Sequence, residues 1–401
     1  MANQIVGHIG AIPSQVGDKH IYYLFGVLSG LGNELPYLNV VPGFGVFELL
    51  FIALFVFNPR GRVSFLMVIP LLMSALAIAS LCFSIYEGRQ NYGVNNLLYG
   101  LRFSFFSMVV FYFSGAKPSY HLERVARGFL IGAALQGVIL WAQWFTEPRF
   151  FLGMPTLAFS TTFINPNSSG YLMSLGFLLA VSVKTNRLEK IAGAFLLLCI
   201  LATLSKGAWL TCSIGLIVLF RNQLRVTIFL VLLSVGVFFE TLAVFVEVVN
   251  SRVMASSGSN EHRMVMVERT ILAIQDYPFL GVGPGAWPEV NKNYGLSGES
   301  DSHNVWMNLS IENGLFQGAL FFAMFLLYGY CAVRIRSNLA FVLFCHFTLY
   351  TLLIGLVYSD RSHWLFMSLL FGFLLNEYKN SSNEKVRLYA PAEKKRALLK
   401  T

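Results

Sequence analysis

Apolar runs of about 15 to 25 residues recur from one end of the chain to the other, and no other feature constrains its fold as strongly. A helix needs roughly 20 such residues to cross the hydrocarbon core of a bilayer. The runs lack the alternation of barrel strands, and backbone groups in lipid must pair within their own segment, so helices follow. Twelve spans are expected, near 21–36, 43–58, 63–86, 95–114, 128–146, 169–183, 191–205, 208–220, 226–248, 303–333, 338–358 and 363–377. The first is the weakest, being interrupted by Gly30, Gly32 and Glu34. With 12% charged residues against roughly 25% in soluble domains, the chain reads as an all-α integral membrane protein of one domain over 1–377, followed by a basic tail at 378–401. Residues 1–20 are polar and lack a basic start with a small-residue cleavage site, so no cleaved signal peptide is expected.

Lysine and arginine placement orients the spans. With a cytoplasmic N-terminus, the inside loops carry Arg60, Arg62, Lys117, Arg124, Arg127, Lys184, Arg187, Lys190, Arg221, Arg225, Arg334 and Arg336, and the tail adds more. The outside loops are poorer in cations, so both termini are expected inside and the long interval 249–302, between spans 9 and 10, outside. A basic inner rim suits anionic lipid headgroups and accounts for most of the net charge of +9 without nucleic acid. Cysteines 82, 199, 212, 331 and 345 fall inside spans with no CxxC spacing, which suggests neither a disulfide framework nor a zinc site.

The interval 249–302 is the long polar stretch of this apolar chain. Ser256 to Asn260 reads as a flexible lead-in, and 262–275 as an amphipathic helix with Met264, Val267, Ile271 and Ile274 on its apolar face, able to lie on the outer membrane boundary. Arg263 and Arg269 are six apart, about 240° in helical projection, and cannot share one face. Gly281, Gly283 and Gly285 permit tight turns or close backbone approach. His303, where the chain re-enters the membrane, can take a proton from a hydroxyl and release it later, or serve only as a polar cap.

Other ionisable groups need an explanation inside an apolar chain. Lys206 interrupts an apolar run at the outer end of a helical pair, where it can snorkel to the surface or pin a lipid diphosphate. Arg102 lies early in the fourth span and needs a wet cavity, an anion or a carboxylate, with Glu240 and Glu312 as candidates. Glu312 could equally organise the helix below His303. Arg361 and His363 mark a second polar corner, read as a substrate contact. The run Thr161 to Asn167 offers amides and hydroxyls that suit sugars, and that loops also use for turns.

From Arg263 to Gly314 the chain resembles the O-antigen ligase family, which takes in related polysaccharide polymerases. The resemblance rests on Arg263, on Asp276-Tyr-Pro-Phe-Leu-Gly-Val-Gly-Pro-Gly-Ala-Trp287, and on Ser302-His-Asn-Val-Trp-Met-Asn-Leu-Ser-Ile-Glu-Asn-Gly314. Thr162 to Gly170 and Leu204 to Trp209 add to it. It implies a membrane glycosyltransferase of the GT-C type in the bacterial inner membrane, with its site facing the periplasm. An undecaprenyl-diphosphate glycan would be the donor, a lipid A core sugar or another glycan the acceptor, and no metal or cofactor would be used. His303 would be the catalytic base and Arg263 a contact to the donor diphosphate. Lys206 stands where family members often carry arginine, and Val267 where they often carry tryptophan.

These elements combine into one expected reaction, inverting transfer at the outer face. His303 deprotonates an acceptor hydroxyl, while Arg263 and Lys206, with Arg269 and Arg102 as further candidates, hold the diphosphate. Glu312, Asn304, Asn167, Arg361 and His363 are candidate supporting or sugar contacts. Carboxylates are scarce in the outer loops, which disfavours a metal-held diphosphate or a paired-carboxylate glycosidase. Ligation to the lipid A core is the first reading, and polymerisation of repeat units on the same donor is the alternative. A transporter would instead gather paired ionisable groups along a central path, often in repeated halves.

Overall fold

The computed structural model describes residues 15–31, 39–41, 44–57, 68–87, 104–105, 108–109, 112, 119–146, 150–151, 154–155, 166–183, 185–203, 205–220, 223, 265–296, 304–335 and 338–353. The expected spans near 226–248 and 363–377, most of that near 95–114, the lead-in 256–260 and the tail lie outside the described residues.

Helices dominate, as the apolar runs require. In chain order they are α1 (Gln15–Gly30), α2 (Val46–Phe57), α3 (Val68–Tyr86), α4 (Ser119–Thr146), α5 (Pro166–Ser182), α6 (Arg187–Ala202), α7 (Lys206–Phe220), α8 (265–276), the short α9 (Trp287–Val290), α10 (Val305–Asn313), α11 (Leu315–Ile335) and α12 (Asn338–Leu353). Two small antiparallel ribbons depart from an all-α fold. They pair β1 (Asn39–Val41) with β2 (Phe44–Gly45), and β3 (Phe150–Phe151) with β4 (Met154–Pro155). Both lie in connections where short apolar stretches flank a glycine, Gly43 or Gly153, a pattern that favours a hairpin turn. Within α4, Leu122–Thr146, and within α11, Leu315–Arg334, are long and apolar enough to cross a membrane.

Helix α4 starts well before the expected span at 128. The early residues Leu122, Val125, Ala126 and Phe129 recur at helical spacing and are fully buried, so packing carries the helix into a polar stretch. Its partner there is α1. Gly26 and Gly30 of α1 face Gly128 and Gly132 of α4 so closely that a Cβ on Gly26 would strike the Val125 carbonyl, and one on Gly128 the Tyr23 carbonyl. Each helix thus contributes a Gly-x-x-x-Gly stripe to a backbone-to-backbone contact, the packing favoured where lipid removes the hydrophobic drive between helices. Further along, Arg127 of α4 reaches Glu189 of α6 through Nε at 2.8 Å. The same carboxylate accepts from the Asn186 backbone N–H at 2.8 Å, completing a capping box at the start of α6.

The expected tenth span, 303–333, is two helices. They break at Gly314, whose φ of 91° is left-handed, and a Cβ there would run into the Phe279 carbonyl. The break therefore comes from a distant segment pressing on the chain. Trp306 of α10 then stacks edge-on against Phe321, Phe322 and Phe325 of α11, with centroids 5.2, 4.9 and 5.0 Å away, folding the first helix back on the second. One large apolar core joins α1 to α7 with α10 to α12, and a second, small core lies within 266–311.

Candidate functional site

The glycine turn that follows α8 closes over the carbonyl end of α10. The last carbonyls of a helix have no partner of their own. Here the Val282 N–H donates to Ile311 O and the Gly283 N–H to Glu312 O, each at 2.8 Å. The Leu315 N–H returns to Pro278 O at 2.8 Å. Gly281, with φ 69°, is held so close that a Cβ would meet the Glu312 carbonyl carbon and the Ile311 oxygen. The sequence reading of close backbone approach holds, and the surface approached is the end of α10.

Helix α3 locks this arrangement from the other side. Ser80 donates its hydroxyl to Leu280 O and, at 2.9 Å, to Glu312 O, while Ser84 donates to Val282 O at 2.8 Å. Both serines are fully buried and four apart, so they lie on one face of α3. The turn, the end of α10 and the end of α3 form a single clasp. At the other end of α10, Asn304 is the N-cap and accepts from the N–H groups of Trp306 at 3.0 Å and Met307 at 3.2 Å. This cap is the residue after His303. Glu312 is buried in the last turn of the same helix.

Helix α8 is amphipathic, and besides the apolar residues expected to meet the membrane it carries a second face buried in the loop. Met266 and Ala273 are buried with Val282, Ala286, Trp287, Leu296 and Ile311, and Ile274 packs at the edge. Thr270 is buried on the same face, its hydroxyl returned to Met266 O at 2.7 Å. Val267 and Ile271, expected on the membrane-facing side, point outward, as do Glu268, Arg269 and Gln275. The small Ala273 shares this core with the large, fully buried Trp287. The helix thus spends its buried face on the loop's own core. Tyr294 ties the loop shut by donating to Asp276 Oδ2 at 2.6 Å, and burial, then the Asp276 carboxylate, holds its phenol well above the usual tyrosine range.

A second junction joins two of the stretches that carried the family resemblance. Helix α5 opens on Pro166 and Asn167, a favoured place for proline, and α7 opens on Lys206. A Cβ on Gly170 would strike Ala208, Thr203 and Ser205, so the starts of α5 and α7 touch through that glycine. Ser205 accepts from the Ala208 N–H at 3.3 Å, and Trp209 Nε1 donates back to Ile200 O at 2.9 Å, fixing the sharp passage from α6 to α7. Lys206 sits at the N-terminus of its helix, where the partial positive charge of the backbone adds to its own.

Of the expected site residues, the structure places Arg269 exposed on α8, Glu312 and Asn304 at opposite ends of α10, and Lys206 and Asn167 at adjoining helix starts. His303, Arg263, Arg102, Arg361 and His363 lie outside the described residues, as do the side chains of Lys206 and Asn167. Sequence reasoning passed over Ser80 and Ser84, whose only signal was a hydroxyl repeated four apart in an apolar run. His346 lies among helices: its Nε2 meets Ser174 Oγ at 2.9 Å and Tyr171 O at 3.2 Å. Since Ser174 donates to Tyr171 O, its oxygen is left to accept from the ring.

Residues 191–322 match the family model described as O-antigen ligase. No curated protein matches the chain. The matched segment runs from α6 through the Lys206 junction, the loop core, the clasp and α10 into α11. Over residues 191–322 the chain is therefore similar to the O-antigen ligase family.

Proposed function

We propose that this protein is an O-antigen ligase, transferring a glycan from undecaprenyl diphosphate to a sugar hydroxyl of the lipid A core. The observation that carries the reading is the family match over 191–322, which includes His303. Its domain would occupy the membrane over 1–377 with the loop 249–302 in the periplasm. Both termini and the tail 378–401 would lie in the cytoplasm.

In this mechanism His303 takes the proton of the acceptor hydroxyl, whose oxygen attacks the anomeric carbon from the face opposite the diphosphate. The new C–O bond forms as the bond to the diphosphate breaks, leaving undecaprenyl diphosphate. Arg263 and Lys206, with Arg269 and Arg102 as further contacts, stabilise the charge on the leaving group, a role for which preorganised cations supply several kcal/mol. Lys206 brings a point charge where arginine would bring a planar fork, so it would hold the diphosphate by charge more than by paired hydrogen bonds. Asn304, Asn167, Glu312, Arg361 and His363 would position sugars or helix ends. The reaction needs no cofactor.

The test is transfer by purified protein in liposomes given lipid-linked glycan and lipid A core. A glycan–core conjugate formed by the native protein and lost in His303→Ala is expected. Longer lipid-linked chains without conjugate would assign polymerisation, and conjugate formation surviving His303→Ala would remove His303 as the base.

A further inference from the structure

Phe279 stands out from the loop that carries it. Its side chain is 83% exposed, while its backbone is held rigidly, with its carbonyl against Gly314 and the neighbouring Pro278 oxygen bonded to the Leu315 N–H. Loose turns often leave an aromatic ring in water, but a pinned turn presents it in a fixed direction.

That position adjoins a membrane-length helix. Leu315, Ala319, Phe322, Leu326, Tyr330 and Val333 of α11 recur at helical spacing and are all exposed, giving one continuous outward apolar stripe. In a helix long and apolar enough to span a bilayer, such a stripe is the surface for lipid. The backbone of Phe279 is bound beside the start of this helix, so its exposed ring is held at the end of α11 where the stripe begins. The loop also exposes the apolar Val265, Val267, Ile271 and Leu272 on α8, whereas its exposed Asp276, Glu289 and Lys292 are polar, as expected for water.

We infer that Phe279 is a membrane anchor of the loop, its ring lying at the acyl–headgroup boundary of the leaflet that α11 enters. It fixes the height of the clasp, and of the start of α11, relative to the lipid in which a lipid-linked substrate would travel. The partner is the bilayer itself, recognised by apolar contact rather than by a headgroup.

The experiment places a nitroxide at Phe279→Cys and, for comparison, at Lys292→Cys. The protein is reconstituted in vesicles of phosphatidylethanolamine and phosphatidylglycerol, and the unsubstituted protein is labelled in parallel to subtract the native thiols. Collision rates with oxygen and with a water-soluble nickel chelate give the depth. At 279 oxygen should exceed the chelate several-fold, with the reverse at 292; a chelate-dominated signal at 279 overturns the inference. Should Phe279→Cys fail to fold, Phe279→Trp in vesicles of lipids brominated near the headgroup gives the same answer. Added fluorescence that these lipids quench supports the anchor, and added fluorescence they leave unquenched overturns it. Neither readout depends on glycan transfer, so the inference can fail while the ligase reading stands.

Discussion

A serine in an apolar helix has two outlets for its hydroxyl, the carbonyl one turn back or a partner on another element. Ser29 and Ser182 take the first, bonding Phe25 O and Leu178 O. Ser80 and Ser84 take the second, and the carbonyls they reach belong to the clasp. Removing a hydroxyl that serves a buried carbonyl costs about 1–3 kcal/mol. Ser80→Ala and Ser84→Ala should each lower the unfolding stability by that much in detergent, while Ser182→Ala should cost distinctly less. Equal losses at all three would show that the clasp bonds carry no special weight. Tyr294 gives a pH prediction. A raised phenol favours the folded loop fully below the ordinary value of 10.0, and the contribution is lost only as pH rises through the higher folded value. Absorbance titration of the native protein minus Tyr294→Phe should therefore reveal one phenol ionising above 10.0; a difference centred at that value would contradict the Asp276 bond.

Between elements, the closest contact is the glycine seam of α1 and α4. Because backbone lies on both sides, no side chain can move aside for a new one. Gly128→Val should force the helices apart, costing about 3 kcal/mol or more, and be seen as a collapse of the folded, monodisperse fraction on size exclusion. Retention of native stability would mean that the seam is looser than described. Helices such as α2, α3, α7 and α12 were legible in the sequence because length and apolarity alone decide them. The split at Gly314 was missed although Asn313-Gly314 is a local breaker signal, because the apolar run continues past it and the carbonyl that crowds it, that of Phe279, belongs to another segment. The buried face of α8 was hidden for a related reason: Thr270 and Ala273 look neutral beside Val267 and Ile271 until the Trp287 layer is in place. At the candidate site, His303 was singled out in the sequence and lies outside the described residues, whereas the hold of Ser80 and Ser84 on the turn and the end of α10 depends on contacts some 200 positions apart.

For the whole molecule, cation placement in the sequence predicts the loop in one compartment and the start of α6 in the other. Lys292 and Lys190, both exposed, report on these two places. In intact cells with a permeable outer membrane, Lys292→Cys should react with an impermeant maleimide, while Lys190→Cys should react only after the inner membrane is opened. Reaction of Lys190→Cys from outside, with Lys292→Cys protected until the inner membrane is opened, would reverse the assignment of the termini. The family match includes the turn and α10 of the clasp but not α3, which locks it. There the turn supplies the hydrogen bonds that the end of α10 lacks, so lifting it would strand those carbonyls and release α3 in the same motion. Segment 278–285 therefore cannot serve as a swinging gate. On the ligase reading proposed above, substrates would arrive over a stationary floor, and motion during turnover would come from other parts of the chain.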